Sequence, residues 1–344
     1  MRPVCSSEVS VVIQGPLYRS LAPERGIEAC IESIRNVLPQ AEVIVSTWEA
    51  EDVAGLKADL IIQSADPGTM RDITGNTINT NRMVASTKAG IEASTRPYVM
   101  KFRSDHLMTN PSLASISDYQ GPERRPRLFQ APLTVTNLFI RDPRRCPMLY
   151  HMSDLVQFGL REDMLTFWDQ PVYTGAELFN DKPTRNPFGN FVGYSKMKMT
   201  SEQALMITVM RNQGMQVDYL PHPCHVTSAG LKLWEEVLED NFRVIGWQTS
   251  GVDFPGRFAN SGYWTGTVYS QEGISAAAAL SGLPWIRRRA MVWANQFLFH
   301  CAKPIWWRAT ASIALFTLSP ALAVKVRRLW RRACKIEHPS PEKR

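Results

Sequence analysis

The sequence predicts an α/β protein with a mainly parallel sheet flanked by helices, and two patterns carry that expectation. Short β-branched runs stop abruptly at Gly, Pro or charged residues, as buried strands do. Between them lie stretches whose apolar residues recur at helical spacing. Strands alternating with helices build βαβ units with right-handed crossovers. Charge then divides the chain. Of 39 Lys+Arg and 32 Asp+Glu in 344 residues, 13 and 2 fall from Leu283 onward. The other 26 basic and 30 acidic residues leave the body mildly acidic. The expected organisation is one α/β domain over 1–280, a basic, apolar helical tail over 281–336, and a disordered end at 337–344.

The elements follow in order. Val9, Val11, Val12 and Ile13 form a strand that ends at Gln14-Gly15-Pro16. Ile27, Ile31, Ile34 and Leu38 recur as one helix face, closed by Pro39. AEVIVSTW (41–48) and DLIIQS (59–64) read as two further strands. NTINTNRMVASTKAGIEAS (76–94) reads as a helix with a polar first turn. Pro97 opens the strand YVMKF (98–102), which breaks into Arg103, Ser104, Asp105 and His106. RLFQA (127–131) is expected to be another strand.

Ligands of open α/β sheets bind outside the carboxyl ends of the strands. Those ends carry Gln14-Gly15-Pro16, then Thr47-Trp48-Glu49, then Arg103 to His106, so three polar ends are expected to line one crevice. No G-x-G-x-x-G follows the first strand and no G-x-x-x-x-G-K-[ST] occurs. Nicotinamide-dependent hydride transfer and P-loop chemistry both lose ground. Six cysteines, at 5, 30, 146, 224, 301 and 334, show neither a C-x-x-C pair nor zinc spacing and suit a reduced compartment. The N-terminal apolar stretch is too short for a signal peptide and is interrupted by Glu8, which points to the cytoplasm. With its basic charge concentrated in the tail, the chain does not read as a nucleic-acid binder.

An aspartate between arginine and histidine at a strand end suits a phosphate-bearing ligand. Asp105 could hold a divalent cation that bridges two phosphates, and Arg103 could pair with phosphate oxygens directly. A loop aspartate paired with its own arginine fits the same spacing.

VSVVIQGPL, SIRNVLPQAEVIVSTWE, ADPGT, NTINTNRMVAS and KFRSDHLMTN occur in an order that resembles the WavE-type lipopolysaccharide synthesis family. HMSDLVQFGLREDM, TSEQALM and EDNFRVIG continue the resemblance, which covers roughly 9–255. It implies a glycosyltransferase of the GT-A type, with a nucleotide-sugar donor bound on a Rossmann-like sheet. It also implies a D-x-D motif holding a manganese or magnesium ion on the donor diphosphate. This chain departs from that motif, because the single acid Asp105 is flanked by Arg103 and Leu107 where a second carboxylate is expected. Asp105 with His106 is the remaining candidate metal pair; Arg103 without metal is the other solution.

Asn76, Asn79, Asn81 and Arg82 crowd a helix start, where asparagines cap and anions bind. Asn81 and Arg82 are therefore candidate donor contacts beside Gln14, Gly15, Pro16, Glu49, Arg103, Ser104 and Asp105. TSEQALMITVM (200–210) reads as a helix capped by Thr200 or Ser201. Glu202 in its first turn is ordinary macrodipole complementarity. The family resemblance instead makes Glu202 the first candidate for general base, with Asp154 of HMSDLVQFGL second. His151 in that segment, like Asp154, is also compatible with a structural role. His222, Cys224 and His225 form a half-cluster with no second half, a weak metal or phosphate signal.

In the tail, PIWWRATASIALFTLSPALAV (304–324) holds one charge, Arg308. The uncharged run from 309 to 324, broken by Pro320, falls short of the ~20 residues of a span. Arg287, Arg288, Arg289, Lys325, Arg327, Arg328, Arg331 and Arg332 surround it, interleaved with Trp285, Trp293, Trp306, Trp307 and Trp330. That mixture suits helices lying on an anionic membrane surface, at the inner face of the cell membrane; helices packed on the body fit the pattern too. The expected activity is sugar transfer from a nucleotide-sugar to a hydroxyl of a glycan or lipid-linked acceptor. Its rivals are a non-catalytic binder of nucleotide-sugars or glycans on the same fold, and a nucleotidyltransferase. The latter needs a basic Gly-rich loop that Gln14-Gly15-Pro16-Leu17 does not supply.

Overall fold

A computed structural model describes residues 1–19, 23–71, 77–119, 127–181, 197–260, 265–295 and 304–333. Its centre is a seven-stranded sheet of β1 (Val9–Gln14), β2 (Glu42–Trp48), β3 (Leu60–Ser64), β4 (Tyr98–Arg103), β5 (Leu133–Thr136), β6 (Gln157–Leu160) and β7 (Phe242–Ile245). The spatial order is β7-β5-β6-β4-β1-β2-β3. Only β6 runs against the others, pairing antiparallel with both β5 and β4. The expected α/β, mainly parallel architecture is therefore present.

β1 lies between β2 and β4, in register from Ser10↔Glu42 to Gln14↔Ser46 and from Val9↔Tyr98 to Gln14↔Arg103. Its alternate residues serve opposite faces. Val9, Val11 and Ile13 share a core with Ile27, Cys30, Ile31 and Ile34 of helix α1 (Ile27–Val37). Val12 packs into the other core with Val84 and Ile91 of α2 (Thr80–Ala93). Helix α2 presses so closely that a Cβ added at Gly90 would lie 2.2 Å from a Val12 methyl. Burial of β1 and β2 on both faces explains why these strands read as continuous apolar runs.

RLFQA is not a strand; the ladder begins after it, at Leu133. Side chains have taken its backbone donors. Asn241 Oδ1 accepts from Leu128 N at 2.7 Å, and Asp163 accepts from Gln130 N at 2.7 Å and Ala131 N at 3.0 Å. Pro132 then offers no donor.

The second half of the chain adds α3 (Arg161–Trp168), α4 (Ser201–Asn212), α5 (Ser228–Asn241) and α6 (Gln271–Ala278). The tail forms α7 (Gly282–Ala294), α8 (Pro304–Leu318) and α9 (Pro320–Ala333). Pro320 does divide the apolar run, as the first residue of α9. Arg288 of α7, counted among the tail's cations, is buried: its Nε donates to Glu235 Oε1 of α5 at 2.7 Å and its Nη2 to Tyr269 Oη at 2.7 Å. Helices α8 and α9 pack on each other, with Ile313, Phe316 and Ala323 buried. Among the described residues no helix is long and apolar enough to cross a membrane. Asn76 and the end at 337–344 lie outside the described residues.

Candidate active site

The chain runs from β1 through α1 to β2 on one side, then from β3 through α2 back to β4 on the other. The boundary between β1 and β4 is thus the topological switch point, where α/β sheets open a ligand crevice. Gln14 and Arg103 are the last register partners there. Gly15, at φ +102°, turns the chain at the end of β1 in a conformation that favours glycine. Thr47 Oγ1 of β2 donates to Gly15 O at 2.9 Å, and Ser104 Oγ donates to Pro16 O. Gln14 Oε1 accepts from Ser86 Oγ of α2 at 3.1 Å. The β1, β2 and β4 ends are tied into one wall, as their polar residues predict; the Glu49 side chain stays exposed at its rim.

Asp105 lies under this wall. Its Oδ1 accepts from Arg103 Nε at 3.0 Å and faces His106 Nδ1 at 2.8 Å. Its Oδ2 accepts from Arg103 Nη2 at 3.2 Å and from Arg257 Nη2. Burial alone would raise its pKa, but Arg103 and His106 hold it well below the usual carboxylate range. A carboxylate has about four lone-pair sites, and four donors fill them here. His106 is fully buried among Phe102, Phe254 and Phe258, and burial pushes it down to about 4. Its Nδ1 is engaged by Asp105, while Nε2 has no partner and is enclosed by these rings. Asp105 and His106 therefore do not fit a divalent cation. The pairing of the aspartate with its own arginine, one of the two arrangements its spacing allowed, is the one present.

A second group sits behind it. Thr200 caps α4 through a capping box with Gln203, which leaves Glu202 in the first turn, partly exposed. Ser201 Oγ lies 2.6 Å from Thr80 Oγ1, so the N-termini of α4 and α2 meet. Two helix starts aimed at one place favour negative charge there. Glu202 Oε2 is 3.8 Å from His151 Nε2. Burial lowers His151 to about 3, so its ring is neutral. Lys101, inside β4 and fully buried, donates its Nζ to the backbone oxygen of Asp154 and lies 5.1 Å from the Trp168 ring centroid. Burial lowers Lys101 to about 8, against the pull of Asp154, Asp105 and Glu202. Burial raises Asp154, with Glu202 adding to the rise while Lys101 and Arg103 oppose it. Arg103, Asp105, Lys101, Asp154 and Glu202 thus form one electrostatic unit.

Asn81 and Arg82 hold neighbouring segments. Asn81 bonds both backbone groups of Tyr173, donating to O and accepting from N, each at 2.9 Å. Arg82 grips Asp66 of the ADPGT segment with two donors, so it anchors that loop. The His222 and His225 rings lie edge to face, 5.4 Å apart. Among the described residues no group of three His, Cys, Asp or Glu could hold a metal.

Sequence reasoning missed Arg257, on the short helix Gly256–Ala259. Nothing in GRFA marks it. It also passed over Lys101, although a lysine within a buried apolar run is itself a signal.

A family model described as WavE lipopolysaccharide synthesis matches residues 9–331. No curated protein matches. Among solved structures, a mannosyltransferase from Pyrobaculum calidifontis with GDP-Man and Mn2+ aligns at 14% identity, covering 96% of this chain and 88% of that one, TM-score 0.32. The β1,4-galactosyltransferase 7 of Drosophila, in complex with manganese, UDP-Gal and xylobiose, aligns at 10% identity over 63% of this chain and 71% of that one, TM-score 0.27. The glycosyltransferase GlyE of Streptococcus pneumoniae aligns at 10% identity, TM-score 0.30, over 61% of this chain, which spans 45% of the length of that one.

Proposed function

Because the chain belongs to the WavE lipopolysaccharide synthesis family, we propose that it is a GT-A-type glycosyltransferase of surface-polysaccharide synthesis, moving a sugar from a nucleotide-sugar to a hydroxyl acceptor. One observation carries the reading. At the switch point of a parallel sheet, Arg103 and Arg257 converge on Asp105, and Arg103 acts on the same Asp154 and Lys101 as a partly exposed carboxylate at a helix start, Glu202. Group transfer from a diphosphate needs these two functions: a base for the acceptor proton and positive charge for the leaving group.

Glu202 is the base. It lies partly exposed in the first turn of α4, with the neutral His151 imidazole 3.8 Å away. Asp154 is more deeply buried and is tied to Lys101 through its backbone, so it shapes the field that Glu202 works in. Gln14, Gly15 and Pro16 form the wall against which the donor lies. The acceptor is a glycan or lipid-linked saccharide.

The tail supports work at a membrane. Leu322, Val326, Leu329 and Trp330 of α9 recur at helical spacing and are exposed, with Lys325, Arg327, Arg328 and Arg332 on the same helix. Such a helix suits the anionic inner face of the cell membrane.

The test is product formation. The full chain is incubated with a panel of nucleotide-sugars and with saccharide and polyprenyl-linked acceptors, and products are read by mass spectrometry. Transfer with at least one pair is expected. Donor binding with no product from any pair would support the non-catalytic binder instead.

A further inference from the structure

We propose that Arg103 and Arg257, oriented by their shared partner Asp105, form a metal-independent clamp for the diphosphate of the donor. The inference rests on the glycosyltransferase reading and specifies how that site neutralises its leaving group.

The first support is the mismatch with a cation. Four donors occupy the carboxylate that a metal would need, and the neighbouring imidazole is sealed by phenylalanines. The second is what this strand end presents to solvent. The Asp105 side chain is 5% exposed, Arg103 20% and Arg257 50%, so solvent meets guanidinium edges and the carboxylate lies beneath them. Asp105 takes two N–H groups of Arg103 and one of Arg257, and each guanidinium carries five. The third is bracing. Both guanidiniums lie over the Phe258 ring, at 5.4 Å for Arg103 and 4.7 Å for Arg257, and Arg257 is 5.8 Å from the Tyr18 ring. Planar cations fixed on aromatic faces lose little freedom on binding and match phosphate oxygens. Location is the fourth, since Arg103 closes β4 at the switch point.

The chemical step balances without a metal. The acceptor oxygen bonds to the anomeric carbon and its proton passes to Glu202. The bond from that carbon to the diphosphate oxygen breaks, and its electron pair stays on the diphosphate. The charge gained there falls on the N–H groups of the two arginines, which are charge-assisted donors already in place.

The experiment measures binding of UDP, GDP, CDP, ADP and dTDP to the full chain by calorimetry, each with EDTA and with manganese. At least one should bind in EDTA, with Kd changed less than about threefold by manganese. Arg257→Ala should weaken that binding about tenfold or more, the scale of a lost hydrogen bond to a charged group. Arg257→Lys should fall between. Arg257 is half exposed on a short helix, and unliganded thermal unfolding checks that both variants fold. Binding that requires manganese and vanishes in EDTA would overturn the clamp, as would EDTA-resistant binding indifferent to Arg257→Ala. Both results leave the glycosyltransferase reading standing. Failure of every nucleoside diphosphate, with and without manganese, would remove the donor site and that reading with it.

Discussion

Glu202 Oε2 lies 3.8 Å from His151 Nε2, joining the start of α4 to the extended segment that leads into β6. Burial holds His151 neutral, so it does not face this carboxylate as a cation. Glu202→Gln keeps the shape and the first-turn position while removing the base. Transfer should fall by about 10²–10⁴, with nucleoside-diphosphate affinity and thermal stability close to wild type. Calorimetry beside a product assay checks this. Equal loss of affinity and stability would reduce Glu202 to a helix-start residue.

Lys101 gives a pH test. Its folded value is about 8, below its ordinary 10.5, so between those values the unfolded chain binds more protons. Stability contributed by this group therefore rises with pH across that window, and its cost is fully present below it. Lys101→Met removes the charge and keeps most of the length. The stability of Lys101→Met relative to wild type should be highest near pH 7 and decline by about 3 kcal/mol toward pH 10. Urea unfolding at several pH values measures it. A difference that does not change with pH would mean that the ammonium is hydrated.

The α7 helix depends on a buried ion pair. Glu235→Leu leaves Arg288 buried opposite only Asp142, 3.7 Å away, and Tyr269. A cost of about 3–5 kcal/mol is expected. Adding Arg288→Met should recover most of it, since apolar replacement of a whole buried pair is often neutral. Chemical denaturation of both variants, with limited proteolysis around residue 282, separates loss of the pair from loss of the fold.

On α9, Leu329→Glu should leave stability within about 0.5 kcal/mol, because the side chain is exposed. It should abolish co-sedimentation with anionic vesicles at low salt, while the wild type binds and high salt releases part of it. A wild-type chain that stays in the supernatant would end the membrane reading.

These expectations show where the sequence is legible. β1, β2 and β4 stand out because both their faces are buried, and the edge strand β3, though half-exposed, because it too is a short apolar run that ends in polar residues. β5, β6 and β7 are four residues each, and the more apolar-looking RLFQA drew attention away from LTVT. Distant side chains, Asn241 and Asp163, decided that contest, and local pattern does not record them. Glu202 drew attention because a cap marks a helix start in sequence, and the helix does start there. Asn81 drew attention for the same reason, since cap chemistry and a grip on Tyr173 use the same residue type. Arg257 joins Asp105 only through tertiary folding, so nothing near it in the chain announces the pairing.

The placement of β7 has a consequence for biosynthesis. It pairs in parallel with β5, which is made far earlier, and Arg257 follows it. While the ribosome is still adding α3 to α5, β5 has β6 on one side and an unpaired edge on the other. Asp105 meanwhile has Arg103 but not its second arginine. Contacts of such long sequence separation form late and slowly, and an open edge strand is a template for wrong partners. The nascent chain therefore passes through a stage with most of its sheet built and Asp105 short of one partner, and one late segment both adds the last strand and delivers the second arginine.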